Sequence, residues 1–61
     1  MKIPTKDGYY RYYDGETSEK MIVLFYHDLI FKCGSEEYTT LDYAETIGSR
    51  FIRPIKPIYK A

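Results

Sequence analysis

Catalytic chemistry needs particular side chains held within hydrogen-bond reach of one another, and this chain carries few of them. His27 is its single histidine and Cys33 its single cysteine. They would form a thiol–imidazole pair only if the register of a hairpin brought them together, and His27 reads more simply as a turn residue resting one face on apolar neighbours. Glu36 and Glu37 are adjacent carboxylates, but neighbours in an extended strand point to opposite faces, so they are not expected to share a substrate. One Cys and one His fall short of a four-ligand zinc site, and no phosphate-binding loop or G-x-G-x-x-G is present. The expectation is a non-enzymatic protein with no catalytic residue, no metal and no cofactor.

Tyrosine is the one residue type in excess: Tyr9, Tyr10, Tyr12, Tyr13, Tyr26, Tyr38, Tyr43 and Tyr59, with no tryptophan. A small core can bury a few of these rings, but not all of them with their hydroxyls satisfied. Exposed Tyr beside Arg is the composition of binding hot spots. The expected partner-binding set is Tyr9, Arg11 and Tyr13 from one face of an early strand, Tyr26 if that face continues across a sheet, and Arg50 and Arg53 near the end. The pattern equally allows the reverse, with this face inside and Tyr10 and Tyr12 outside. Rings that stack on bases beside Arg11, Arg50 and Arg53 would also suit single-stranded nucleic acid. A balanced formal charge, nine cations against nine anions, weighs against that reading, because phosphate neutralisation supplies most of such affinity.

The charges are unevenly placed. Asp28, Glu36, Glu37, Asp42 and Glu45 outweigh Lys32 in the middle, while Arg50, Arg53, Lys56 and Lys60 stand unopposed at the end. Either the basic end folds back over the acidic middle, or the surface presents two signs to a partner.

The element that must position these groups is the run Met21 to Phe31, MIVLFYHDLIF. Its β-branched and aromatic residues favour strand over helix, and at period two both faces are apolar. A tight turn at His27-Asp28 folds it into a hairpin, pairing Leu29 to Cys33 with Lys20 to Tyr26. Gly8 to Tyr13 forms a strand before it, and Asp14-Gly15 opens the connecting loop. Residues 36 to 39 continue the third strand past a bulge at Gly34. Thr40 to Glu45 makes one helical turn capped by Thr39 or Thr40 and stopped by Gly48, so short that Leu41, Tyr43 or Ala44 must pack on the sheet. Arg50 to Ile55 is a last strand, in which Phe51 and Ile52 begin an alternation and Pro54 and Pro57 demand an edge position. One domain, 1–61, is expected, with residues 1–7 an irregular lead-in and 56–61 an extended tail. The fold class is mostly β: a small antiparallel meander of four to five strands, SH3-like or a partly open barrel.

At 61 residues the chain hides only about 60% of the surface that its unfolded form exposes. Chains of this size are usually reinforced by disulfides, a metal or a partner subunit. With one cysteine, a homodimer covering the second face of the central strand is the expected supplement. Met1-Lys2-Ile3-Pro4 lacks a signal peptide's apolar region, and no run approaches membrane-spanning length. A free thiol agrees with a reducing compartment, so a cytoplasmic protein with no membrane partner is expected.

The order G-Y-Y-R-Y-Y-D-G, hydrophobic hairpin, C-G-S-E-E-Y, short L-D-Y turn and closing R-F-I-R-P-I resembles short phage and prophage accessory proteins with a small SH3-like β domain. The resemblance spans Gly8 to Pro57 and implies a phage-encoded inhibitor that binds a host protein, including components of anti-phage defence, in a bacterial cytoplasm. It assigns no functional residue, and a small structural or virion-associated protein stands as a further alternative.

Overall fold

The apolar run folds back on itself at two residues. In the computed structural model, which describes residues 1–55, strand β2 (Glu19–Tyr26) and strand β3 (Leu29–Lys32) pair antiparallel, with Tyr26 opposite Leu29. His27 and Asp28 both take positive φ, 50° and 62°. That is the two-residue hairpin turn whose twist matches the flanking strands, built here without glycine. Strand β1 (Gly8–Asp14) pairs with the other side of β2, and β4 (Tyr38–Thr40) pairs with β3. After the helix α1 (Leu41–Thr46), β5 (Arg50–Pro54) returns to the free side of β1. The result is one open antiparallel sheet in the order β4-β3-β2-β1-β5, with β2 at its centre. This is the mostly β meander expected, and Pro54 lies on an edge strand as its missing N–H requires.

One expectation about the third strand is corrected. The chain does not continue past a bulge at Gly34 but reverses there. Gly34 sits at φ 83°, the Ser35 N–H bonds the Lys32 carbonyl, and the Lys32 N–H bonds the Glu37 carbonyl. A side chain at Gly34 would strain this backbone, so the residue read as a bend within a strand is a reversal between two. Glu36 and Glu37 therefore lie in the turn and not in a strand.

The inner face holds the core. Tyr10, Tyr12, Val23, Phe25, Ile30 and Ala44 are buried, with Met1, Met21, Leu41 and Phe51 packed against them. Phe51 meets Tyr10, Tyr12 and Phe25 edge-on at 5.3 to 5.5 Å between ring centroids, a favoured aromatic geometry. Helix α1 is capped by Thr40, whose hydroxyl accepts from the Tyr43 N–H at 3.2 Å. Of the three residues expected to pack, Ala44 is buried and Leu41 half-buried, whereas Tyr43 stays exposed.

Polar groups close the far end of this face. Asp14, itself buried, pairs with the Lys32 ammonium at 3.3 Å and accepts from the Glu16 N–H at 2.8 Å. The Gly15 N–H bonds the Ser49 hydroxyl at 2.9 Å. Here the β1–β2 loop is pressed against the end of the helix so closely that a Cβ on Gly15 would overlap the Ile47 carbonyl oxygen.

Candidate functional site

Side-chain parity along β1 resolves the two readings of its tyrosines. Tyr10, Tyr12 and Asp14 face inward, leaving Tyr9, Arg11 and Tyr13 on the outer face. Opposed residues of antiparallel strands share a face, so the register extends this surface row by row. Tyr9 lies opposite Leu24, Leu24 opposite Phe31, and Phe31 opposite Tyr38. This apolar row crosses four strands, and its last pair of rings lies 5.8 Å apart. Tyr26 and Leu29 make the row above it. Below it lie Arg53, Arg11 and Ile22, and below these Arg50, Tyr13 and Lys20.

The placement of Arg53 depends on an irregularity in β5. Phe51 opposes Tyr12 while Arg53 opposes Arg11, so Ile52 is an extra residue between two paired positions. The simple alternation expected from Phe51-Ile52 would have put Arg53 on the inner face with Phe51. The bulge reverses that parity and delivers Arg53 to the outer face beside Arg11. Arg50 lies over the Tyr13 ring at 5.3 Å from its centroid, a cation–π geometry.

Of the six residues expected at the site, five gather at the β1–β5 side: Tyr9, Arg11, Tyr13, Arg50 and Arg53. Tyr26 shares their face but stands at the turn end of β2, packed edge-on against His27 at 4.1 Å. Sequence reasoning missed Ile22, Leu24, Phe31 and Tyr38, which make up much of the same surface. The signal was present in the doubly apolar β2, but a partner row is legible only once the register is known. Among the described residues Tyr9, Ile22, Tyr26 and Tyr38 are each more than 40% exposed, and the register sets them on one apolar face.

No carboxylate lies on the outer-face rows set out above. The ion pairs among the described residues join the Met1 amino group to Glu45 and Lys32 to Asp14, and neither involves an arginine. Arg50 and Arg53 make no ion pair with the acidic middle among the described residues, and β5 and the Glu36-Glu37 turn lie at opposite edges of the sheet. The remaining basic residues, Lys56 and Lys60, lie outside the described residues. The Arg11 Nε is shielded from solvent and has no hydrogen-bond partner among the described residues.

The potential chemical groups are elsewhere. His27 and Cys33 sit at opposite ends of β3, roughly 20 Å apart at the rise of an extended strand, so the register does not pair them. Glu36 and Glu37, expected to diverge, instead line one shallow cleft with Glu16, Lys32, Tyr38, Thr39 and Tyr43. The Tyr43 hydroxyl donates to Glu16 at 2.9 Å, which holds the phenol above its ordinary value. Among the described residues no group of three or more His, Cys, Asp or Glu is placed to hold a metal ion, and no helix is long and apolar enough to cross a membrane. No protein-family model, curated protein or solved structure matches this chain.

Proposed function

We propose that this chain is a protein-binding module that works through the outer face of its sheet. The observation that carries the reading is the continuous Tyr9–Leu24–Phe31–Tyr38 row, with Arg11 and Arg53 one row below its Tyr9 end. Large, stiff rings bordered by guanidinium groups give much contact area for little lost side-chain entropy, as binding hot spots do. The resemblance to phage accessory proteins gives this reading its biological form: a phage-encoded inhibitor that occludes a host defence protein in the bacterial cytoplasm. The test is a pull-down from bacterial lysate with the wild-type chain and a Leu24→Glu variant. A specific protein captured by the first and lost by the second supports the reading; capture that is indifferent to the outer face overturns it.

A homodimer would draw on the same apolar row. Light scattering on dilute protein decides that point, and a mass of one chain at micromolar concentration removes the dimer. The second functional reading, single-stranded nucleic acid, is favoured by Tyr9 and Tyr13 flanking Arg11 on a face with three further cations. Its signature is an affinity for oligonucleotides that falls steeply with ionic strength.

A further inference from the structure

We infer that Arg11 and Arg53 form a clamp for a carboxylate of the protein partner, set one row away from the apolar side chains that the same partner lays on Leu24 and Phe31. This rests on the outer face being a protein-binding surface, and it adds the chemistry of what binds there.

Two independent observations meet at this pair: a bulge-made register that opposes like charges, and a donor without an acceptor. Like charges directly opposed on neighbouring strands destabilise a sheet, yet Arg11 and Arg53 occupy opposed positions on β1 and β5. The register that opposes them exists only because of the bulge at Ile52, and bulges commonly serve to re-aim a side chain next to a functional site. The Arg11 Nε–H, shielded from solvent, has no acceptor among the described residues. A carboxylate placed between the two guanidinium groups removes the repulsion and accepts from their terminal N–H groups, and a turn of the Arg11 side chain brings its shielded Nε–H into the same fork.

The rest of the face selects the kind of anion carrier. Arg11, Lys20, Arg50 and Arg53 all lie in the lower two rows, while the upper rows are Tyr9, Leu24, Phe31, Tyr38, Tyr26 and Leu29. A nucleic-acid strand crossing the sheet would leave its phosphates unneutralised over the upper rows, and aliphatic Leu24, Ile22 and Leu29 offer no stacking platform. A protein segment suits both halves: apolar side chains over Leu24 and Phe31, and an aspartate or glutamate one row down and two strands across the sheet, about 12 Å away at the usual strand spacing and rise.

The experiment is a titration of isotope-labelled protein, followed by backbone amide shifts, with three probes. These are a short capped peptide of leucine and aspartate, the same peptide with asparagine for aspartate, and oligothymidylate. The expected result is that the acidic peptide shifts outer-face amides of β1, β2, β3 and β5. The asparagine peptide, and the Arg53→Gln and Arg11→Gln variants with the acidic one, lose about tenfold or more in affinity, as removal of a charge-assisted hydrogen bond implies. Arg53 is exposed, so its variant tests the clamp even if Arg11→Gln fails to fold. Equal binding of both peptides, unchanged by either variant, overturns the clamp while leaving a protein-binding face in place. Shifts from oligothymidylate alone overturn both in favour of nucleic acid. No outer-face shift with any probe at millimolar concentration overturns the clamp, and the lysate comparison of wild type and Leu24→Glu then judges the wider reading separately.

Discussion

A single buried carboxylate shows how this small domain holds its shape. Burial alone would raise the Asp14 carboxyl, but the Glu16 N–H, the Lys32 ammonium and the Thr17 N–H outweigh it and hold the group below its ordinary value. Lys32 is raised in turn, chiefly by its bond to Asp14 and against the opposing effect of burial. A carboxyl lowered in the folded state contributes stability that is full above its unfolded value, near 3.8, and is lost as pH falls through the lower folded value. A raised lysine contributes stability that is full below its unfolded value, near 10.5, and is lost as pH climbs through the folded one. Denaturant melts should therefore show Asp14→Asn less stable than wild type by about 2 kcal/mol at neutral pH, since one charge is left without its partner. That difference should shrink below about pH 4. An equal loss at pH 3 and pH 7 would show that shape, not charge, is what Asp14 supplies. Gly15→Ala should cost about 3 kcal/mol or abolish folding, because its Cβ meets backbone at Ile47 and not a side chain that can move aside.

At the level of elements, the hairpin and the helix obey opposite kinds of constraint. The β2–β3 turn is locally strained: two non-glycine residues hold positive φ, a conformation that costs each roughly 1 kcal/mol relative to one that tolerates it. The double change His27→Asn with Asp28→Gly supplies the preferred residues of this turn and should raise the unfolding free energy by about 1 kcal/mol. A fall in stability on thermal or denaturant melting would mean that His27, packed on Tyr26, contributes more than its backbone strain costs. Helix α1, at six residues, has the reverse problem. Nothing local makes so short a helix stable in water, and Thr40→Ala, which deletes its cap, should cost about 1 kcal/mol.

Over the whole molecule, one face of the sheet carries the core and the other stands exposed among the described residues. Ile30 is fully buried on the first, and Ile30→Ala should cost about 2–5 kcal/mol through lost transfer energy and a cavity. Tyr38 stands 59% exposed on the second. Tyr38→Ser should change the stability of dilute protein by less than about 0.5 kcal/mol, as surface replacements do. A larger loss that deepens with protein concentration would show that the outer face is already covered by a second copy. The contrast between these two variants separates residues that make the fold from residues available for a partner.

Period-two patterning, turn chemistry and caps were enough to define a meander with a hairpin at His27-Asp28, a helical turn after Thr40 and a proline-limited edge strand. These features depend on residues near one another in the chain. They could also split the tyrosines of β1 into two faces, but not say which face is inner, because that depends on where α1 and Phe51 come to rest. The same holds for the Asp14–Lys32 pair, which reaches across β2, and for the reversal at Gly34, where a turn and a bulge call for the same residue type. Above all, the Ile52 bulge has no local signature, yet it alone decides that Arg53 joins Arg11. Register is a property of two strands at once, so the surface that it assembles exists only in the folded sheet.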